Sequence, residues 1–220
     1  MSAGRKMVDF LFDPVSPYAW LAAAQLGKLE AAGAEVRCQP VLFAGLLNAH
    51  GGKGPAEIPA RRAYTFRDVM RNAARLGLPF AGPPTHPFNP LRALRMCLAV
   101  EDLAQRKSLV VALLNAAWAQ GEDVAEPAVL LKVARDRGLD ADALLAATER
   151  PELKQRLVSA TQQAVEAGVF GVPTFRLGDE LFWGSDRMDA LLWRLSGNGI
   201  DEARLATVLA RGASARRSTG

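Results

Sequence analysis

The residues Asp13–Trp20 read D-P-V-S-P-Y-A-W, and they follow a short β-prone run, Met7–Phe12, that reads M-V-D-F-L-F. Pro14 ends that run as a strand because proline has no main-chain N–H to give to a sheet. Ser16 occupies an N-cap position and Pro17 the first position of a helix, so the spacing predicts a helix to about residue 32. We therefore expect a strand that leads through a tight turn into a helix.

The segments on both sides of this turn continue an α/β pattern. Glu35–Phe43 is again β-prone and completes a β-α-β unit. Val169–Gly178 and Glu180–Trp183 predict a β-hairpin, after which Ser185 and Asp186 predict the cap and first turn of a last helix. The predicted helices lie at Leu91–Arg106, from Pro127 to just before Gly138, in a short segment capped by Asp140, from Pro151 to Gly168, and from Ser185 to about Leu195.

The order β-α-β, then helices, then β-β-α indicates an α/β protein with a thioredoxin-like fold and a large all-helical insertion. We expect residues 1–55 and 169–198 to form the thioredoxin-like domain. Residues 56–168 are the predicted helical insertion, and residues 199–220 are a predicted C-terminal helix and a basic, flexible tail.

Composition narrows the classes of function. The 220 residues carry a net charge of +4, but Arg211, Arg216 and Arg217 near the end supply three of these charges, so no basic stripe for nucleic acid is predicted. Cys38 and Cys97 stand apart, in no C-x-x-C and no metal-ligand spacing, which favours two free thiols in a cytoplasmic protein and no metal. No signal peptide and no membrane-spanning stretch is expected.

Ser16 is the most informative position for chemistry. Thioredoxin-like oxidoreductases keep a C-x-x-C at this strand-to-helix turn, where the start of the helix stabilises a thiolate. The same four places here read S-P-Y-A, so dithiol-disulfide exchange at this site is excluded. A serine hydroxyl can instead donate a hydrogen bond to a thiolate supplied by another molecule. The alternative is a plain N-cap that contributes about 1 kcal/mol to stability.

The segment Gly171–Phe175, which reads G-V-P-T-F, favours the functional interpretation of Ser16. In a thioredoxin-like fold a proline here is commonly cis and faces the start of the helix. The main chain of the preceding residue is then free to pair with an extended peptide. An ordinary strand-edge proline at Pro173 is the alternative.

Three motifs together resemble the 2-hydroxychromene-2-carboxylate isomerases, which are DsbA-like relatives of kappa-class glutathione transferases. They read V-D-F-x-F-D-x-x-S-P-Y-A-W-L at the start, L-L-N-A-H-G-G-K-G-P-A-E-I-P in the middle, and V-F-G-V-P-T-F with F-W-G-S-D-R near the end. The resemblance covers roughly Met7–Leu195. It implies glutathione as cofactor, Ser16 as the catalytic serine and a homodimer.

The resemblance also implies further glutathione contacts. Val172, beside Pro173, matches the residue whose main chain pairs with the cysteinyl unit of glutathione. The family segment that binds the γ-glutamyl end of glutathione matches Trp183, Gly184, Ser185 and Asp186 of this chain. Kappa-class relatives typically offer an Asn side chain where this chain has Gly52, so that contact is missing or is replaced by Asn48.

The substrate implied by the resemblance is an anionic aromatic keto acid, which needs a cation and an apolar wall. Lys53 and Arg61 are the candidate cations, with Arg62 beside them, and Phe88 is a candidate for the wall. Solvated charges and core packing are the alternatives for these residues. His50 and His86 lack a nearby carboxylate pattern, so no Ser–His pair is predicted.

These observations predict a glutathione-dependent cis-trans isomerase that acts by reversible thiolate addition in aromatic catabolism. One alternative is a kappa-class-like transferase that conjugates or reduces electrophiles. A non-catalytic thioredoxin-like binding module is the other. The expected partners are a small-molecule substrate and a second copy of the chain, without nucleic acid or membrane.

Overall fold

The computed structural model describes residues 5–212, whose centre is a four-stranded mixed sheet in the order β2-β1-β3-β4. β1 pairs in parallel with β2 and antiparallel with β3, and β3 forms an antiparallel hairpin with β4. The strands are β1 (Lys6–Phe12), β2 (Ala34–Pro40), β3 (Thr174–Leu177) and β4 (Glu180–Trp183). The predicted thioredoxin-like fold with a helical insertion is confirmed.

Helices surround this sheet and fill the segment between β2 and β3. Within residues 5–212 they are α1 (Pro17–Ala23), α2 (Leu26–Ala31), α3 (Phe43–Ala49), α4 (Pro59–Arg75), α5 (Leu91–Ala99), α6 (Leu103–Trp118), α7 (Pro127–Arg135), α8 (Ala141–Ala147), α9 (Pro151–Glu166), α10 (Met188–Leu195) and α11 (Glu202–Leu209). Short 3₁₀ turns lie at Pro55–Glu57 and Ser185–Arg187. The predicted helices in the α7, α8 and α9 segments are confirmed.

β1 is the central strand and is covered on both faces. Val8, Phe10 and Phe12 have no exposed surface, and the Phe10 ring stacks on Phe175 of β3 with 5.2 Å between centroids. A strand buried on both faces reads as a nearly continuous apolar run, which is why the M-V-D-F-L-F pattern barely alternates. Its one acidic residue, Asp9, is buried and therefore needs partners within the sheet.

Asp9 binds an arginine on each neighbouring strand. Arg37 of β2 and Arg176 of β3 both approach its carboxylate to 2.6 Å. Burial opposes ionisation of Asp9, but the hydrogen bonds and charges of the two arginines outweigh it and lower the pKa of the carboxyl group. The carboxylate thus joins three strands.

The helix predicted from Pro17 to about residue 32 is wrong in one respect, because two helices, α1 and α2, occupy this segment. The main-chain N–H of Gln25 bonds to the carbonyl of Ala22, three residues back, so the α-helical pattern ends there. The carbonyl of Leu21 loses its helical partner and accepts the Gln25 side-chain amide instead, at 3.1 Å. A side-chain bond thus replaces the missing main-chain bond.

The strand predicted over Glu35–Phe43 ends earlier, at Pro40, and Phe43 begins α3. Two side chains distant in sequence take the main-chain donors of this stretch. Thr161 Oγ1 accepts the N–H of Leu42 at 3.0 Å, and an Asp13 oxygen accepts the N–H of Phe43 at 2.9 Å. These amides are therefore not available to the sheet.

The helix predicted over Leu91–Arg106 is also two helices, α5 and α6, with a break at residues 100–102. Asp102 is the N-cap of α6, because its Oδ1 accepts the N–H of Gln105 at 2.8 Å. The Arg106 side chain donates to the carbonyl of Val100 at 2.8 Å and closes the break. The sequence signal was Asp102, an N-cap residue type inside the predicted helix.

One hydrophobic core contains side chains of the sheet, such as Phe10, and side chains of the insertion, such as Trp118. The division into a thioredoxin-like domain, an inserted domain and a C-terminal part stays a prediction. The predicted C-terminal helix corresponds to α11, whereas the end of the basic tail, with Arg216 and Arg217, lies outside the described residues.

Candidate active site

Ser16 lies between the end of β1 and the first turn of α1 and is only 7% exposed. Its Oγ accepts the N–H of Ala19 at 3.3 Å, which confirms the predicted N-cap. The same oxygen donates its proton to the main-chain carbonyl of Val172 at 3.2 Å. A hydroxyl has one proton to give, so Ser16 connects the turn after β1 to the segment before β3.

Asp13 fixes the turn that leads to Ser16. Its carboxylate is fully buried, and its two oxygens accept the N–H groups of Val15 and Phe43, each at 2.9 Å. Burial raises the pKa of Asp13 to about 7, although the two amide hydrogen bonds act in the opposite direction. The carboxyl group thus holds the turn against the start of α3, a role that sequence reasoning missed.

Two carbonyls of the same turn accept hydrogen bonds from rings of the predicted insertion. Trp118 Nε1 donates to the carbonyl of Pro14 at 2.9 Å, and His86 Nε2 lies 3.0 Å from the carbonyl of Val15. His86 therefore contacts the main chain of the turn. The contacts of both rings with this turn were missed, because a main-chain acceptor leaves no pattern in the sequence.

The segment before β3 carries the cis peptide bond Val172–Pro173, as predicted. The strand itself is shorter than the predicted Val169–Gly178 and begins at Thr174. Side chains bind the carbonyls that precede it, with His50 Nε2 at 3.0 Å from the carbonyl of Val169 and Thr174 Oγ1 at 2.7 Å from that of Gly171. These bonds replace sheet pairing and hold Val172 beside Ser16.

The segment Trp183–Asp186 joins the cis-proline segment through the main chain. The N–H of Gly184 donates to the carbonyl of Pro173 at 2.9 Å. Gly184 has φ +111°, a conformation that other residues rarely adopt, and a Cβ there would collide with Asp186. Trp183 is half exposed and packs edge-to-face on Phe170, with 4.8 Å between ring centroids.

The prediction that Ser185 and Asp186 form the cap and first turn of an α-helix is wrong. They belong to a 3₁₀ turn without a side-chain cap, and α10 begins only at Met188. This turn packs against α1, which carries Ser16 at its start. The Asp186 carboxylate is 69% exposed and pairs with Arg187 at 3.2 Å. It is therefore accessible, with its charge balanced by a neighbour.

Tyr18 of α1 is a further residue of this region that the sequence did not single out. Its hydroxyl donates to Asp68 of α4 at 2.9 Å. Burial raises the pKa of Tyr18 well above its ordinary value, and the hydrogen bond to Asp68 and the charges of Tyr64 and Asp186 add to the effect. Tyr18 therefore stays protonated and ties α1 to α4.

The structure does not show contacts between the remaining predicted site residues and Ser16. Asn48 lies on the exposed last turn of α3, and Lys53 and Arg61 are exposed. Phe88 is buried in the core at 8% exposure. Their roles stay predictions.

Arg62, which follows Arg61, has a defined packing contact. Its guanidinium carbon lies 5.0 Å from the ring centroid of Phe66, and Phe66 packs edge-to-face on His86 at 5.3 Å. Through these rings Arg62 is connected to the turn before Ser16.

The two cysteines take part in none of the contacts described above. Cys38 and Cys97 are free and fully buried, and burial raises the pKa of both thiols, that of Cys38 to about 12. Residues 5–212 contain no cluster of side chains suited to a metal ion. No helix in that range combines the length and apolar character needed to cross a membrane.

Comparisons with known proteins identify the family of this chain. The model of the DSBA-like thioredoxin domain matches residues 7–196. The chain is 31% identical over 189 residues to a 2-hydroxychromene-2-carboxylate isomerase of Sphingobium xenophagum, covering 84% of this chain and 96% of that one. It is 28% identical to human glutathione S-transferase kappa 1, over 84% of this chain and 89% of that one.

A solved 2-hydroxychromene-2-carboxylate isomerase superposes with a TM-score of 0.80 at 29% identity, over 94% of this chain and all of the other. Together these matches extend over most of the described residues. The chain belongs to the DSBA-like thioredoxin family and, within it, to the 2-hydroxychromene-2-carboxylate isomerases, with the kappa-class glutathione transferases as a related branch.

Proposed function

We propose that this protein is a glutathione-dependent cis-trans isomerase of the 2-hydroxychromene-2-carboxylate isomerase type, acting on a conjugated aromatic keto acid in aromatic catabolism. The observation that carries the proposal is the buried hydroxyl of Ser16. It replaces the thiol of related oxidoreductases and lies 3.2 Å from the carbonyl of Val172. A site of this kind can hold a sulfur anion without taking part in disulfide exchange.

The donor and acceptor groups of the site fit glutathione. The tripeptide offers a thiol, two peptide groups and a γ-glutamyl end that carries both an ammonium and a carboxylate. Ser16 supplies a hydroxyl for the sulfur, and Val172 supplies main-chain groups beside a cis proline. Asp186 supplies an accessible carboxylate for the ammonium, and the half-exposed Trp183 supplies an apolar surface nearby.

When bound, glutathione supplies a thiolate that adds reversibly to a conjugated carbon of the substrate, so that the former double bond can rotate before the thiolate leaves. Ser16 can stabilise this anion only by turning its single proton away from Val172. The Val172 carbonyl is then free to accept an N–H from an extended ligand. Asp186 in turn exchanges Arg187 for the ligand ammonium. Binding thus replaces bonds that the site already makes.

Conjugation or reduction of electrophiles, as in a kappa-class glutathione transferase, is the second candidate function, because the human kappa 1 enzyme is nearly as similar as the isomerases. A non-catalytic thioredoxin-like module is the third. With the isomerase function we propose a homodimer, and a cytoplasmic location that suits two buried free thiols.

The test compares wild type with Ser16→Ala. We expect the variant to lose about tenfold to a hundredfold in isomerisation of 2-hydroxychromene-2-carboxylate, because a hydrogen bond to a charged group contributes about 1.5 to 3 kcal/mol. Isomerisation is followed by absorbance with and without glutathione. The ultraviolet absorbance of the thiolate gives the pKa of the bound thiol, which should lie below that of free glutathione in the wild type only.

Asp140→Ala is the matched control, since the exposed Asp140 caps α8 in the way that the buried Ser16 caps α1. Each variant should lose about 1 kcal/mol of stability, but only Ser16→Ala should lose activity. Full activity of Ser16→Ala would refute the role of the hydroxyl. Accumulation of a glutathione conjugate would favour the transferase, and binding without turnover of either kind would favour the module.

A further inference from the structure

Every carbonyl of the turn Asp13–Val15 has a hydrogen-bond donor, and two of the three donors come from far along the chain. The carbonyl of Asp13 accepts the N–H of Ser16 at 3.0 Å, which closes the turn locally. The carbonyls of Pro14 and Val15 are bound by Trp118 and His86, which lie 104 and 71 residues away. The position of this turn is thus set by side chains outside the β-α-β unit.

The two distant donors hold each other in place. The rings of His86 and Trp118 meet edge-to-face with 5.4 Å between centroids, and Phe66 of α4 packs against both. Trp118 has no exposed surface. Its main-chain carbonyl also accepts the N–H groups of Ala81 and Gly82, each at 3.0 Å, in the loop that leads to His86. Neither ring can move independently of the other.

His86 has a defined protonation state. Because a carbonyl can only accept, Nε2 must carry the proton that binds Val15. Nδ1 is buried and has no partner among the described residues, so a second proton there would find no acceptor. Burial lowers the pKa of His86 and the charge of the nearby Arg62 acts in the same direction, and together they outweigh the opposing hydrogen bond to Val15. The ring is therefore a neutral donor and not a general base.

We propose that His86 and Trp118 are positioning residues, through which the helical insertion fixes the orientation of the Ser16 hydroxyl. Both act through the main chain, because the peptide units of Pro14 and Val15 lead directly into Ser16. The Oγ of Ser16 accepts the N–H of Ala19 at 3.3 Å, near the limit for a hydrogen bond, so a small shift of the turn breaks this bond and displaces the hydroxyl that must turn its proton from Val172 to the sulfur. The inference rests on the proposed function for its catalytic consequence only.

The test removes each N–H donor while keeping an apolar side chain in its place. In Trp118→Phe and His86→Leu we expect kcat to fall by about tenfold or more, because small displacements of a reacting group are costly. The pKa of bound glutathione should rise towards that of the free thiol in both variants. His86→Gln, which restores an N–H donor, should recover most of the loss.

Trp20→Phe is the matched control for Trp118→Phe. Trp20 is as deeply buried as Trp118, and its Nε1 donates at 2.8 Å to Asn115 rather than to the turn. The two variants should lose similar stability, whereas Trp20→Phe should keep wild-type kcat and thiol pKa. Equal losses of kcat in the two tryptophan variants, or no recovery in His86→Gln, would overturn the proposal.

A readout without glutathione separates this inference from the proposed function. Amide hydrogen exchange of Ser16 and Ala19 reports the closure of the turn, because the first N–H bonds to the Asp13 carbonyl and the second bonds to Ser16, through its main-chain carbonyl at 3.1 Å and its Oγ at 3.3 Å. We expect both amides to exchange about tenfold faster or more in Trp118→Phe and His86→Leu, and as in the wild type in Trp20→Phe. Unchanged exchange would refute the positioning role even in an active isomerase. If wild type proves inactive but exchange responds as expected, only the proposed function fails.

Discussion

The two turns that meet at the candidate site, residues 13–16 and residues 183–187, are held in opposite ways. In the first turn, Asp13 and Ser16 are buried, and α3, α6 and the loop before α5 all contribute bonds to it. In the second turn, Trp183 and Asp186 are exposed, and its charges pair with each other. A short path connects the two turns, from Ser16 to Val172 and on to Gly184.

This difference indicates a division of tasks. A turn whose polar groups are all bonded by the surrounding fold has its geometry before any ligand arrives, which suits a group that must be oriented for chemistry. A turn whose exposed ion pair can be exchanged for one with a ligand suits recognition, because little is lost when the partners change. Changes in the first turn should therefore affect stability and rate, and changes in the second should affect affinity.

The largest expected effect comes from Asp13→Ala in the buried turn. The substitution leaves the N–H groups of Val15 and Phe43 buried without an acceptor, so we expect a loss of about 3 kcal/mol or more in the free energy of unfolding. Chemical denaturation measures it. Asp102→Ala, which removes a single exposed cap from α6, should cost only about 1 kcal/mol. Equal costs would show that the buried turn depends on Asp13 no more than an exposed helix start depends on its cap.

The pH dependence of stability tests the same carboxyl group. Burial raises the pKa of Asp13 from its ordinary 3.8 to about 7, so between these values the folded chain holds a proton that the unfolded chain has released. The corresponding stability is complete below pH 3.8 and is lost as the pH rises to 7, by about 1.4 kcal/mol per pH unit. We expect the free energy of unfolding of wild type to fall by about 1.4 kcal/mol per pH unit relative to that of Asp13→Asn between pH 5 and pH 7. A constant difference between the two proteins would contradict the raised pKa.

The smallest expected effect lies in the exposed turn. Asp186→Asn should weaken glutathione binding about tenfold, or about 1.4 kcal/mol, through loss of the ammonium contact. The melting temperature should hardly change, because a first-turn carboxylate contributes only a few tenths of a kcal/mol. Calorimetric titration and thermal melts of wild type, Asp186→Asn and Asp189→Asn, a carboxylate in the first turn of α10, measure both quantities. Unchanged affinity with a lower melting temperature would leave Asp186 outside the binding site.

The sequence predicts the features that depend on neighbouring residues. Ser16 followed by Pro17 is a local signal for the start of a helix, and the order of strands and helices indicates the fold. The early end of β2 was not predictable in this way, because it depends on the bond of Thr161 to Leu42, between residues 119 positions apart.

The residues of the candidate site likewise include some that could be predicted from the sequence and some that could not. The proximity of Ser16 and Val172 follows from the fold and could be anticipated. The contributions of Asp13, His86 and Trp118 could not, since each binds the main chain, whose groups are the same in every residue. The type of a side chain that binds a main-chain group therefore does not indicate which residue it binds.

The carboxylate of Asp9 has a consequence for how the chain folds. Its two arginine partners lie 28 and 167 residues away, so β1 and β2 can pair early, whereas β3 reaches β1 only after the helical segment has been made. Until then the most apolar strand of the protein has an open edge, which is a risk for aggregation. The acidic side chain of Asp9 in the middle of β1 disfavours pairing of this open edge with a strand of another chain. Asp9 thus joins three strands in the folded sheet and opposes intermolecular pairing of β1 before β3 is in place.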